Sequence, residues 1–496
     1  MSVQTADPED LVTVIGLEVH VQLETATKIF CSCATAGDGD AAPNSRTCPV
    51  CLGLPGALPV LNEGAVEAAI KVGKAIDAEI PEETTFHRKN YFYPDLPKNF
   101  QITQYDAPIC AAGSLEFAVE GDRRAVRIER AHLEEDPGRL EHVGGGIDTA
   151  DYTRVDYNRA GTPLMEIVTA PDFRSPGEVR AFLAKLEEVL EYLGVFDASR
   201  DGSLRVDANL SLVEADTVAA DGSLSAATLE AANRTEVKNI SSHKGAEQAL
   251  AYEQTRQRNA VARGRSIAQE TRHWDESKGV TLSMRSKEAE KDYRYFREAD
   301  LPPLRVSDWL ERIEIPELPE ARRERFREEY GLSVESASKL TSTKQVADFF
   351  EAVADRFDAG VAASWVADRL LGELHYREMA ITDVEDRLDA FTRLIEMVET
   401  DAITSKNAEE VVLRAMLDEG LDPETIVEAE SLGKTSGDAV DTAVTAAIEA
   451  NPEAVADFHD GEAGAINFLV GQVMQATGGS ADPGAVNGKL RDALEE

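Results

Sequence analysis

The chain contains no apolar run approaching the roughly 18 to 20 residues that a helical membrane span requires, so bilayer-spanning helices are not expected. Its first residues, MSVQTADPEDLV, show no basic end followed by an apolar stretch, so no secretory leader is read there and a cytoplasmic protein is expected. Cations are scarce: 51 Lys and Arg face 92 Asp and Glu, a net charge of −41 over 496 residues. Phosphate backbones are bound by cations, so that balance argues against a broad nucleic-acid surface. The acidity is spread along the whole length and suits a chain working in concentrated salt, where screening removes most self-repulsion. Three nucleotide and hydrolase signatures are also missing: the Gly-x-x-x-x-Gly-Lys-Ser/Thr loop, the dinucleotide fingerprint and the Gly-x-Ser-x-Gly elbow. Any ATP bound is bound without a P-loop.

Cysteine is rare but not scattered. Of five, Cys31, Cys33, Cys48 and Cys51 fall within 21 residues, and Cys110 stands alone as a candidate buried small hydrophobe. Two close pairs, the second in a Cys-Pro-Val-Cys turn, can give four thiolates to one tetrahedral ion, and such an ion would order a loop too polar to build its own core. A structural zinc is expected, since four protein ligands leave no open position; free or redox thiols are the alternative. The single residue between Cys31 and Cys33 is tighter than the usual spacing.

At this length two or three domains are expected. The stretch from Val12 to Leu23, VTVIGLEVHVQL, is rich in β-branched residues and reads as a strand. Side chains alternate across a strand, so Glu18, His20 and Gln22 share one face and Leu17, Val19 and Val21 the other. Glu18 and His20 then stand about 7 Å apart. They lie either on the wet face of an edge strand or on one side of a metal or phosphate site.

Further along, Asn62 to about Glu79 has helical periodicity with Asn62 as cap. His87 to Asp106 mixes aromatics, amides and cations with two prolines and no evident period, and reads as a long irregular segment. Lys89 is its candidate phosphate-neutralising cation; an ordinary surface lysine is the alternative. Arg127–Asp136 begins as a strand and ends in the carboxylates of Glu134, Glu135 and Asp136, which could be a solvated turn or the hard oxygen set magnesium takes. Ser175-Pro176 opens a helix that stops at Gly194. On the strand 203–212, Arg205, Asp207, Asn209 and Ser211 share a face, an odd set for a strand surface, where Asp and Asn are disfavoured. Residues 231–300 hold 14 Lys and Arg against 11 Asp and Glu, and RSKEAEKDYRYFR at 285–297 interleaves cations with aromatics as nucleotide surfaces do. From about 317 onward the periodicity is helical almost throughout.

The runs VIGLEVHVQL, KNYFYPDLPKNFQITQYD, HLEEDPG, DYNRAGTPLMEIV, GSLRVDANLSL, EVKNISS and DYRYFREADLPPL, in that order over residues 12–304, closely resemble the B-subunit family of the tRNA-dependent aspartyl/glutamyl-tRNA amidotransferases. The resemblance continues through FLVGQVM at Phe468–Met474. It implies an α+β chain: a β-rich, cradle-like catalytic domain at 1–304, a helical domain at 305–425 and a small helical tail domain at 426–496 that contacts tRNA. It implies ATP-dependent phosphorylation of the side-chain carboxylate of Asp misacylated on tRNA(Asn), or Glu on tRNA(Gln). Ammonia from an amidase A subunit then displaces phosphate, and a small C subunit completes a heterotrimer. By the same resemblance Glu18, His20, Glu135 and Asp207 would hold magnesium. Lys89, Glu134 and Glu135 would act in catalysis, and Asn90, Tyr91, Tyr93, Arg159, Arg205 and Asn209 would contact substrate or nucleotide. ATP, magnesium and the structural zinc are the implied cofactors. One departure is visible: where the family's tail tends to carry lysines, this chain has Gln475, Gly478, Ser480 and Asp482. A zinc-stabilised tRNA-binding or assembly module without catalysis is the competing expectation.

Overall fold

The computed structural model describes residues 10–35, 41–144, 150–200, 202–219, 222–284, 293–433, 437–459, 462, 464–478 and 481–495. The chain forms two compact units, Met1–Leu318 and Pro319–Glu496. The architecture is α+β: a large mixed sheet in the first unit and helices in the second.

Fifteen strands lie among the described residues of the first unit: β1 (Leu11–Gln22), β2 (Glu83–Thr84), β3 (Phe86–Asn90), β4 (Phe100–Gln104), β5 (Cys110–Val119), β6 (Asp122–Glu135), β7 (Arg139–Val143), β8 (Tyr152–Asp156), β9 (Pro163–Thr169), β10 (Leu204–Glu214), β11 (Thr235–Ile240), β12 (Glu270–Asp275), β13 (Val280–Ser283), β14 (Phe296–Arg297) and β15 (Leu304–Arg305). Eleven form one sheet in the order β13-β12-β11-β10-β1-β9-β6-β4-β3-β14, with β5 paired to β6. β1 is central, antiparallel to both β9 and β10. Its inward residues Ile15, Leu17, Val19 and Val21 are buried in a core shared with helices α1 (Glu63–Ala75) and α2 (Pro176–Tyr192). Each such aliphatic side chain contributes about 1.5–3 kcal/mol of burial, which fixes the register, because a one-residue slip would turn the polar face inward.

The helix ends follow the expected chemistry. Asn62 caps α1, accepting from Ala65 N at 3.4 Å while its amide donates to Thr27 O at 2.9 Å. Ser175 caps α2, accepting from Glu178 N at 3.2 Å, and Gly194 follows it at φ +64°, where a side chain would be strained. α3 (Ala226–Ala231) is short, and α4 (His243–Ala262) packs Ala246, Ala249 and Leu250 into the same core. Cys110 is fully buried there.

One expectation needs correction. The segment 87–106 is irregular only in its middle, since both ends are strands, β3 and β4. Gln101, Ile102, Thr103 and Gln104 are all buried, and a strand covered on both faces shows no alternation to read. Several of the cations in 231–300 are paired. Arg256 and Arg272 each pair with Glu253 and Glu270, and Lys278 pairs with Asp275. Residues 285–292 of the RSKEAEKDYRYFR run lie outside the described residues.

The second unit has two apolar cores, one from Phe326 to Val427 and one from Val440 to Leu494. Trp365, Val366 and Leu370 lie in the first; Leu469 and Val473 of the helix Ala465–Ala476 lie in the second. No helix among the described residues is long and apolar enough to cross a membrane.

Candidate functional site: a buried carboxylate–imidazole cluster on the sheet

Residues directly opposite one another in a ladder point to the same face. His20 stands opposite Glu166 on β9 and Arg205 on β10, and Glu18 stands opposite Asp207. Glu166 stands also opposite His132 on β6, while Glu134 faces Thr103 on β4. One polar face therefore crosses the sheet from β3 to β11. At its centre the ligand atoms of His20, Glu134 and Glu166 lie within 4.8 Å of one another. His20 Nδ1 is 3.4 Å from Glu134 Oε1, and His132 Nε2 is 3.6 Å from Glu166 Oε2.

The electrostatics belong to an interior site. Burial pulls the His20 imidazole down, but the Glu134 hydrogen bond and the charges of Glu134, Glu166 and Asp207 raise it to about 9. Glu134 is held below the ordinary carboxylate range: burial opposes this, and His20, Lys89 and His132 outweigh it. Glu18 is raised by burial and by the charges of Glu166, Asp207 and Glu236, with Lys238 opposing. Lys89 is raised by Glu134 and Glu166 despite burial, and its Nζ lies 5.1 Å from the Tyr293 ring centre. His20, Glu134 and Glu166 are placed so that they could hold a divalent cation.

The flanking residues are held as follows. Asn209 donates to Glu18 Oε1 at 3.2 Å; Lys238 bonds Asp207 and lies 2.8 Å from Glu236. Asp136, fully buried, accepts from Gln22 and from Arg205, each at 2.8 Å, and pairs with Arg159 at 3.4 Å. Arg159 also donates to the carbonyls of Pro137 and Gly138 at 3.1 and 2.8 Å. Tyr91 meets Tyr293 edge to face, and Asn90 donates to Arg294 O at 2.8 Å, tying β3 to the 293–295 segment. Tyr93 is exposed.

The structure thus brings together Glu18, His20, Lys89, Glu134, Arg205, Asp207 and Asn209. It does not bring Glu135 to them. Glu135 follows Glu134 on β6 and so points to the other face, where Lys98 bonds it at 2.5 Å and Ile102 N at 2.8 Å. The expectation that Glu135 shares a metal with His20 is corrected on that ground. The residue overlooked in sequence is Glu166. A lone carboxylate inside the otherwise apolar PLMEIVT run, in a strand buried at every position, was the available signal. Lys238 was overlooked too; it pairs with Glu236 on its own strand and with Asp207 on the adjacent one.

A second ligand set lies in the loop after β1. The sulfurs of Cys31, Cys33, Cys48 and Cys51 are within 4.8 Å of one another, with Cys48 and Cys51 3.9 Å apart. Four thiolates at ordinary zinc–sulfur lengths stand roughly 3.8 Å apart, so the spacing fits such an ion. Cys48 N also donates to Cys51 Sγ at 3.1 Å. The Cys31 hydrogen bond lowers the Cys51 thiol against burial, with Cys48 and Lys28 adding to it, as a ligand thiolate needs.

The catalytic-domain class follows from comparison with known families. A model described as the GatB/GatE catalytic domain matches residues 13–311, and one described as the GatB domain matches 348–494. The aspartyl/glutamyl-tRNA(Asn/Gln) amidotransferase B subunit of Natronomonas pharaonis is 75% identical over 495 residues, covering 100% of both chains. Its counterpart in Haloarcula marismortui is 70% identical, again over 100% of both. That of Methanospirillum hungatei is 51% identical over 98% of this chain and 99% of its own. The chain belongs to the B-subunit family of the aspartyl/glutamyl-tRNA(Asn/Gln) amidotransferases, a family of enzymes.

Proposed function

We propose that this chain carries out the amide-forming half of tRNA-dependent transamidation, converting Asp on tRNA(Asn), Glu on tRNA(Gln), or both, by ATP-dependent phosphorylation of the side-chain carboxylate and displacement by ammonia. The observation that carries this reading is the cluster of buried Glu134 and Glu166 with half-buried His20, beside Lys89. A binding or assembly module has no need of three titratable groups sequestered within 4.8 Å.

A carboxylate is a poor acyl donor, and making an acyl phosphate requires that charge on the transferring oxygens be offset. A magnesium ion held by Glu134, Glu166 and His20, with Glu18 and Asp207 behind them, would supply that charge. Lys89 sets an ammonium beside Glu134 and Glu166 to orient a phosphoryl oxygen. Asn209 holds Glu18 in place, and Lys238 does the same for Asp207. Arg205 and Arg159 neutralise the buried Asp136 and fix the edge of the face. Asn90 and Tyr91 position the 293–295 segment that covers Lys89, and exposed Tyr93 is available to substrate.

The wider assignment is of the same kind. Residues 1–304 form the catalytic part, 305–425 a helical part and 426–496 a tail that meets tRNA with few cations, by shape and hydrogen bonding where salt weakens phosphate contacts. An amidase A subunit and a small C subunit supply ammonia and complete a cytoplasmic heterotrimer. The distributed acidity suits concentrated salt. The test is ammonia-driven amidation by the assembled enzyme, with Asp-tRNA(Asn) and Glu-tRNA(Gln) assayed side by side. ATP-dependent product from at least one is expected, and none from either would overturn the reading.

A further inference from the structure

The cysteine loop does more than enclose its ligands. Asn44 N donates to Asp156 Oδ1 and Tyr157 N donates to Asn44 Oδ1, both at 2.8 Å; Arg46 N donates to Asn158 Oδ1 at 2.8 Å. These bonds lay the loop along the turn at 156–162. Lys28 joins the two from inside. It is fully buried, its Nζ donates to Arg46 O at 2.8 Å and Tyr157 O at 3.3 Å, and Cys51 Sγ lies 3.8 Å away. Gly161 packs against the same pair: at φ +89°, a Cβ there would sit 3.5 Å from the Lys28 stem and 3.7 Å from Cys51 Cβ. The turn in turn holds the edge of the polar face. Gly161 N donates to Asp136 O at 2.8 Å, Asp136 N to Thr162 O at 2.9 Å, and Arg159 pairs with the Asp136 carboxylate. Asp136 then grips Gln22 of β1 and Arg205 of β10, the strands that carry His20 and Asp207.

A divalent ion with four thiolates carries net charge −2, and Lys28 places its Nζ 3.8 Å from Cys51 Sγ of that shell. We propose that the metal loop is a positioning device for the sheet site: the ion closes the loop, Lys28 neutralises its sulfur shell and ties it to Tyr157, and the 156–162 turn hands that order to Arg159 and Asp136. Lys28 is a positioning residue, not a catalytic one. The functional consequence rests on the reading that the polar face forms amides; the structural coupling does not.

Three measurements on the full chain decide it. Hydrogen exchange with zinc bound and after chelation is expected to show loss of protection at 133–138 and 155–162 as well as at 28–51; loss confined to 28–51 overturns the coupling. Lys28→Met is expected to release zinc to a chromogenic chelator about tenfold faster and to shift the thiolate charge-transfer band of the cobalt-substituted protein. Unchanged release and spectrum overturn the role of Lys28. Asn44→Gly keeps all four ligands and tolerates the local φ of +58°. It is expected to retain one zinc per chain yet lower kcat for ammonia-driven amidation by the assembled enzyme about tenfold, with KM for ATP little changed; an unchanged kcat overturns the link to catalysis. If the wild-type assembly itself forms no amide, the functional reading fails while the exchange and cobalt measurements still decide the coupling.

Discussion

The four-cysteine loop and the polar face of the large sheet are both ligand sets, and they are built in opposite ways. The loop draws its four cysteines from a span of 21 residues, placed so that they could hold one ion. The sheet takes His20, Glu134 and Glu166 from three strands joined by register, and its hydrophobic core holds them whether or not an ion is present. Soft sulfur in a closed shell serves structure; hard oxygen and imidazole on a rigid face leave positions for substrate. On the proposed reading, the loop would take an ion for structure and the sheet would take one for chemistry.

The sharpest way to break that contrast is Glu166→Gln. It removes a carboxylate from the central cluster while preserving volume, so amidation by the assembled enzyme should fall by about 10²-fold or more with the thermal midpoint nearly unchanged. Comparable activity would remove Glu166 from the site. Glu135→Gln should do the reverse. Breaking the buried pair with Lys98 should cost about 3 kcal/mol of stability, measured by denaturant unfolding, while magnesium affinity stays within about twofold. A large loss of magnesium affinity would restore Glu135 as a ligand.

The last test is in pH. His20, raised to about 9 by its carboxylate neighbours against burial, is protonated more readily folded than unfolded. Its contribution is complete below its unfolded value of about 6.5 and lost as pH rises through 9. Metal-free protein should therefore lose stability across that interval, seen as a falling thermal midpoint. His20→Gln should flatten the slope, and an equal slope in that variant would show that another group carries it.

The neighbours Glu134 and Glu135 show how much of the site could be read from the chain alone. Alternation along β6 says that the two point to opposite faces, yet not which face is occupied by His20. Glu18, His20, Arg205, Asp207 and Asn209 were legible because each strand's own period put them on one side, and the cysteines because their spacing is local. Glu166 was passed over because a carboxylate inside an apolar run reads as strand until its partners on β1 and β6 are known. β4 was hidden by burial on both faces, which erases the period that marks a strand.

The sequence by itself determined the caps of α1 and α2, the strand faces and the thiolate set, since all of these depend on chemistry within a few residues; the α+β class came from the family resemblance. Only the tertiary structure decided that His20 meets Glu134 and Glu166, that Glu135 turns to Lys98, and that Lys28 lies buried between Cys51 and Tyr157. Those pairings are set by strand order and register across the sheet, and by which buried charges find partners when distant segments pack.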